Sequence, residues 1–340
     1  MNFLKKLPYI VAEVGVNHNG KIDNAIKSIN LAAKSGASAV KFQLFKTDEF
    51  MSQKKISYKY KTAKGFKTEN MYEMFKRLEF SNTWIKKIIT ACKKNNVDFL
   101  CSVADNNSVN LVRKHKIKVL KLSSEDLINY PLLKYISKIN TKVILSTGMA
   151  KISEIDAAIK ILNKNKKDLV LLHCVSLYPT PDDETNLLRM LELKKKYKLN
   201  VGYSDHTKGI EASISAIALG AKLIEKHFTI NKKMVGPDHL MSSDPREFKL
   251  LSVSCKRAYA MLGEKEIKPS KTEMIMKNIY RRSITSLSEI QKGEKLSLKN
   301  LGLKRPAHGL HPNHLQKILG KKAKRKILVD EKIKLSDIVY

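Results

Sequence analysis

A repeated alternation constrains this chain most: short β-branched runs, each followed by a longer amphipathic stretch, recur over about the first 265 residues. Eight runs read as strands: Tyr9–Glu13, Ala39–Gln43, Asp98–Ser102, Val119–Lys121, Val143–Ser146, Leu169–Cys174, Asn200–Tyr203 and Leu223–His227. Helical periodicity follows most of them, at Ile22–Ser35, Asn107–His115, Glu154–Asn163, Glu211–Leu219 and Pro245–Leu262, with Gly36 and Gly220 as stop signals. After the second run the connection is longer and holds an irregular, lysine-rich stretch, Met51–Lys67. This alternation predicts a closed (β/α)8 TIM barrel of the α/β class. An open doubly wound sheet would place a glycine-rich phosphate loop after the first strand, and no GxGxxG occurs there.

From Gly263 to Tyr280 the chain turns polar and lysine-rich and contains Pro269. Strand-like pieces follow at Ser283–Leu287 and Arg325–Val329, with KGEKL and PxxGL turns between them. The expected organisation is a barrel over residues 1–265, a linker over 266–282 and a small domain over 283–340. That domain has few large apolar residues, so it is expected to bury little on its own and to play an accessory part.

The formal net charge of +33 raises nucleic acid and anionic membranes as partners. Lysine runs such as Lys93–Lys94 and Lys194–Lys196 fall late in helical stretches or in turns, and no aromatic-interleaved basic stripe stands out. Neither nucleic acid nor a membrane is therefore the expected partner. No apolar run is long enough to span a bilayer. Lys5 and Lys6 precede an apolar stretch in the manner of a signal peptide, but Glu13 interrupts it and no small-residue cleavage site follows. The expected location is the cytoplasm. Cys92, Cys101, Cys174 and Cys255 form no CxxC pair and read as buried free thiols.

A barrel of this kind puts its active site at the carboxyl ends of its strands. Polar residues gather there on essentially every candidate strand: Glu13, Lys41 and Gln43, Ser102, Lys121 with Ser124 and Glu125, and Ser146. Ser176 and Tyr178 follow the sixth strand, Ser204 and His206 the seventh, and Glu225 and His227 lie on one face of the eighth, with Asp238 shortly after. A single terminal serine can be a helix cap and a single lysine can snorkel. Their convergence is harder to explain that way. Two inward lysines among hydroxyls suit an anion bearing phosphate and carboxylate. His206 and His227 end successive strands, 21 residues apart, close enough to share one ion. With hard oxygen donors nearby, Mn2+ or Mg2+ fits better than structural zinc.

The runs IVAEVGVNHNG, AVKFQLFK, VILSTGM, LLHCVSLYPTP, VGYSDHT, IEKHFT and GPDH resemble, in order and spacing, the sialic acid synthase family. That family includes synthases of N-acetylneuraminic, legionaminic and pseudaminic acids. RRSI, KGEKL and KRPAHGL resemble its C-terminal antifreeze-like (SAF, β-clip) domain. The resemblance covers nearly the whole chain and implies condensation of phosphoenolpyruvate with an N-acetylated mannose-type sugar, releasing phosphate. It implies that Lys41, Lys121, Ser124, Ser146 and Ser204 hold phosphoenolpyruvate, with Ser102 and Ser176 in matching places where the family commonly has threonine, and threonine or asparagine. His206 and His227 would bind the metal. Glu13, Gln43, Glu125, Tyr178 and Asp238 would face the sugar, and Arg305 would arrive from a partner in a domain-swapped homodimer. Glu225 and Asp238 are candidates to orient water; Glu13 and Glu125 are candidates for sugar hydroxyls or proton transfer. The chain departs from the family at Cys101-Ser102-Val103-Ala104, where STPF is usual, and at Leu122-Ser123-Ser124-Glu125, where GSGE or PSGE is usual. Pro306-Ala307-His308-Gly309 stands in place of PGNG. These departures bear on which sugar is accepted. Three rivals remain at this point: a phosphoenolpyruvate synthase acting on a sugar phosphate, a glycan- or ice-surface-binding module with an inactive barrel, and a nucleic-acid-binding protein.

Overall fold

The computed structural model describes residues 3–4 and 7–339, so Lys5 and Lys6 lie outside the described residues. Eight parallel strands close on themselves: β1 (Tyr9–Gly15), β2 (Ala39–Leu44), β3 (Asp98–Val103), β4 (Val119–Leu122), β5 (Lys142–Ser146), β6 (Leu169–Cys174), β7 (Asn200–Asp205) and β8 (Leu223–His227). Each pairs with its neighbour in sequence, and β8 returns to β1 with Tyr9 against Leu223 and Glu13 against His227. The expected strands agree with these to within two residues at either end.

Both faces of every strand are covered, which is why the strands read as continuous apolar runs in their first halves. Outward residues such as Ile10, Val40, Phe42 and Leu120 pack with Ile29, Ile88, Val112 and Leu133 of the surrounding helices. Inward residues Tyr9, Val11, Ala39, Leu100, Val119, Ile144, Val170, Leu172 and Leu223 fill the amino-terminal half of the barrel together with Phe3. One inward step further along the strands, the side chains become polar: Glu13, Lys41, Ser102, Lys121, Ser146 and Glu225, all buried. The period of two thus divides the interior into an apolar plug and a polar chamber.

A bulge shapes one wall of that chamber. The β1–β2 register shifts between Glu13 and Gly15. Gly15 has φ +53°, and a Cβ there would sit 3.1 Å from both the Gln43 Nε2 and the Glu13 Oε1. Only glycine accepts that conformation and that proximity together.

Several expectations are corrected. The stretch Met51–Lys67 is not irregular: an antiparallel hairpin pairs Ser57–Thr62 with Gly65–Asn70. Its Tyr58 and Tyr60 do alternate with Lys59 and Lys61, but Tyr60 is buried and the two rings stack on each other, 5.8 Å between centroids. The polar stretch read as linker contains a helix, Lys271–Tyr280, capped by Ser270: its Oγ accepts the Glu273 amide at 3.1 Å while Glu273 Oε2 accepts the Ser270 amide at 2.8 Å. Arg325–Val329 forms no strand, only a bridge between Ile290 and Ile327.

One compact unit ends at Gly263 and a second begins at Glu264. Contrary to the expectation of little burial, the second has its own core, built from Ile284, Ile290, Leu296, Leu301, Ile318, Ile327, Ile333 and Ile338. Its strands are short, pairing Ser283–Ser286 with Leu301–Lys304 and Lys322–Ala323 with Ile338–Val339. All four cysteines are buried and free. Among the described residues, no helix is long and apolar enough to cross a membrane.

Candidate active site

The polar chamber opens into a cavity of about 730 Å³ at the carboxyl ends of the strands. It gathers Glu13, Lys41, Gln43, Ser102, Lys121, Ser124, Glu125, Ser146, Ser176, Tyr178, Ser204, His206, Glu225 and His227 along one lining. Asp238 stands just outside that lining, its Oδ2 3.8 Å from the His227 Nδ1. Arg305 belongs to the second unit, where its exposed guanidinium lies over the Tyr280 ring at 5.3 Å.

At the floor, two ammonium groups meet two carboxylates. Lys41 Nζ is 2.8 Å from Glu13 Oε2 and 3.6 Å from Glu225 Oε1. Lys121 Nζ donates to the same Glu225 oxygen at 3.2 Å, and so does Ser204 Oγ. Gln43 Nε2 donates to Glu13 Oε1 at 3.1 Å. The two carboxyls are pushed apart electrically. Burial raises Glu13, with Lys41 opposing and Glu225 adding to the rise. Burial also opposes ionisation of Glu225, but Lys121 and Lys41 together overcome it and hold that carboxyl below its usual range. The same burial thus acts on both carboxyls, and the two lysines outweigh it only at Glu225. The second Glu225 oxygen and the Ser146 hydroxyl are buried without a hydrogen-bond partner, so each has bonding capacity to spare.

Above the floor, His206 and His227 stand with ring centroids 5.6 Å apart. The His206 Nδ1 lies 2.7 Å from the Val175 carbonyl oxygen, which can only accept. Its proton therefore sits on Nδ1, and Nε2 offers a lone pair in the neutral form; against burial, the Cys174 thiol and the Val175 carbonyl raise this imidazole above its ordinary value. His227 Nδ1 is buried and has no hydrogen-bond partner. Burial, then His206 and Lys41, push His227 well below the ordinary imidazole value, which favours the neutral, ligating form. The Tyr178 ring covers the pair, 4.1 Å from His206 and 5.8 Å from His227. Burial and the nearby Glu13 raise Asp238 to about 6. Among the described residues, no three or more His, Cys, Asp or Glu side chains come together as a metal ligand set. The donor chemistry nonetheless fits a divalent cation: one imidazole with a fixed tautomer, one with an orphaned nitrogen, and a carboxylate oxygen to spare.

Gly148 brings the serines together. Its N–H donates a hydrogen bond to the Ser124 Oγ at 3.0 Å. A Cβ at Gly148 would come within 2.5 Å of the Ser176 Oγ and 2.7 Å of the Ser124 Oγ.

The cavity also includes residues that strand-end reasoning missed. Asp126, in the turn after β4, accepts from Ser123 Oγ at 2.7 Å and from Asn129 Nδ2 at 3.2 Å, and burial lifts its carboxyl to about 6. Phe45, Phe50, Met71 and Phe75 supply an apolar wall, the three rings packed edge to face. Asp126 sits directly after Glu125, a placement that reads equally well as an acidic first turn.

A parallel barrel with a charged chamber at its carboxyl end defines the class: this is a (β/α)8 enzyme. The NeuB family model matches residues 28–267 and the SAF domain model residues 281–339. The chain belongs to the NeuB family, whose members are phosphoenolpyruvate-utilising condensing enzymes of the sialic-acid type. It is 43% identical to the N,N'-diacetyllegionaminic acid synthase of Campylobacter jejuni over 97% of this chain and 99% of that one. The Pseudaminic acid synthase of the same species is 32% identical over 98% and 97%. Among solved structures, the N-acetylneuraminic acid synthetase of Leptospira borgpetersenii in complex with citrate matches at 33% identity with a TM-score of 0.71, covering 80% of this chain and 90% of that one.

Proposed function

We propose that this protein condenses phosphoenolpyruvate with an N-acetylated mannose-type amino sugar, giving a nine-carbon sialic-type acid and phosphate. The observation that carries the reading is the floor network, in which Lys41 and Lys121 meet Glu13 and Glu225 beneath two histidines in one cavity. Lys41 and Lys121, with Ser146, Ser204, Ser124, Ser102 and Ser176 around them, would hold the phosphate and carboxylate of phosphoenolpyruvate. The unpartnered Ser146 hydroxyl is free to donate to such an anion. Gln43, Glu13, Glu125 and Tyr178 would orient the open-chain sugar so that phosphoenolpyruvate C3 meets its C1 aldehyde. Mn2+ or Mg2+ bound by His206 and His227 would supply Lewis acidity at that aldehyde. Glu225, with one oxygen unbonded, would orient the water that adds at C2, and phosphate then leaves by C–O cleavage. Asp238, held near neutrality, would carry a proton between these steps.

For the acceptor, identity of 43% across nearly the full length of both chains favours a 2,4-diacetamido-trideoxyhexose, giving a legionaminic-type product, over N-acetylmannosamine. A homodimer in which Arg305 reaches the sugar site of a second copy completes the reading. The helix Lys271–Tyr280 supports it: none of its residues is buried, and Met274, Ile275, Ile279 and Tyr280 are exposed. Purified protein incubated with manganese, phosphoenolpyruvate and each sugar in turn, with products identified by mass, tests both levels. A nine-carbon acid from one sugar assigns the acceptor, and no product or phosphate from any of them would overturn the reading.

A further inference from the structure

Behind the two histidines, on the face of the barrel turned away from the cavity, lies a second buried ion pair that the chemistry above does not use. Lys226 and Asp205 are register partners on β8 and β7. Lys226 Nζ is 2.8 Å from Asp205 Oδ2, and both side chains are almost wholly buried. The other hydrogen bonds of this pair are local as well. Asp205 Oδ2 also accepts from Ser213 Oγ at 2.5 Å, and Oδ1 accepts from both the amide and the hydroxyl of Thr207 at 2.8 Å. Lys226 Nζ donates in turn to the Thr207 carbonyl at 2.9 Å.

The sequence positions give these contacts their meaning. Asp205 precedes His206 and Thr207 follows it, so the peptide units on both sides of that imidazole are tied to one clamp. Lys226 precedes His227, so the same clamp spans from one histidine's strand to the other's. A buried ion pair contributes little net stability, because desolvating two charges offsets their attraction, and an apolar pair of similar volume often does as well. What it does supply is directional: hydrogen bonds that hold one backbone geometry. Supports behind a metal's ligands act in this way, orienting side chains that touch the ion.

We propose that Asp205 and Lys226 are positioning residues that fix the backbones of His206 and His227 relative to each other, and so set the separation of the two imidazoles for a divalent cation. This rests on the reading that those histidines hold the metal.

The test compares Lys226→Met, Asp205→Asn and the double variant, in full-length protein, by manganese titration monitored by electron paramagnetic resonance. The melting temperature of the metal-free protein is measured alongside. Lys226→Met alone leaves a buried carboxylate unpaired and is expected to lower the melting temperature. The double variant removes both charges and is expected to regain most of that loss, yet to bind manganese roughly 10- to 100-fold more weakly than wild type. Its kcat should fall while KM for phosphoenolpyruvate stays within about twofold, because the floor lysines are untouched. A double variant with recovered melting temperature and wild-type manganese affinity would overturn the inference, provided His206→Ala has lost that affinity. If His206→Ala also binds manganese as wild type does, the metal assignment itself falls, and this inference with it.

Discussion

Lys121 and Glu225 face each other across the barrel floor, ammonium to carboxylate at 3.2 Å, both buried. Lys41 meets the same carboxylate oxygen from the other side at 3.6 Å. One glutamate thus holds two lysines near a common point, which on the proposed reading offers a cation each to the phosphate and the carboxylate of phosphoenolpyruvate.

Truncating either lysine should therefore act on one substrate. Lys41→Ala and Lys121→Ala are each expected to raise KM for phosphoenolpyruvate roughly ten- to a hundredfold, the equivalent of about 1.5–3 kcal/mol for a lost charge-assisted contact. KM for the sugar should move far less. Steady-state kinetics with each substrate varied in turn checks this; equal effects on both would point to a structural role instead.

His206→Ala and His227→Ala are expected to abolish turnover and weaken manganese binding while the fold persists, since neither ring belongs to the apolar core clusters. Circular dichroism and metal titration separate the two effects. Near-normal activity in chelator-treated protein after manganese is restored would dismiss the two-histidine site.

Asp126 supplies a pH test independent of the metal. Burial lifts its carboxyl from the usual 3.8 to about 6, with Ser123 and Asn129 opposing. A folded-state value above the unfolded one favours the folded form fully below pH 4, and that contribution is lost as pH rises through 6. Asp126→Asn should accordingly stabilise the protein at pH 7.5, by on the order of 3 kcal/mol at most, with no gain at pH 4. Urea unfolding of both proteins at the two pH values measures the difference.

Mixing tests the proposed exchange of small domains. Arg305→Ala and His206→Ala chains, each inactive alone, should recover part of the activity when subunits exchange, because one of the two mixed sites carries neither lesion. Verified exchange without recovery, or a monomer by sedimentation at assay concentration, would exclude the swapped dimer.

The barrel was legible because its signals are local and repeated. β-branched runs mark each strand, and a period of two places Glu13, Lys41, Lys121 and Glu225 on the inner face before any tertiary contact is known. What escaped depends on the third dimension. The Ser57–Asn70 hairpin has the same period of two, at Tyr58 and Tyr60, but dense lysines mask it. In the helix Lys271–Tyr280 the surrounding lysines mask Met274, Ile275 and Ile279, although Ser270 and Glu273 stand at capping-box spacing. Phe50, Phe75 and Asp126 enter the cavity from loops and short helices, where strand periodicity says nothing about which way a side chain turns. In the second unit, the run Ile327-Leu328-Val329 makes Arg325–Val329 read as a strand, but only a single bridge forms there, at Ile327.

The apolar plug beneath the lysines has a kinetic meaning. Phe3, Tyr9, Val11, Leu100 and Ile144 fill the amino-terminal end beneath the cavity. On the proposed assignment the molecule that rests on Lys41 and Lys121 is deepest, and a sugar lodged against Tyr178 stands between it and solvent. On that assignment phosphoenolpyruvate would have to enter first, and a sugar that arrived early would bar its way.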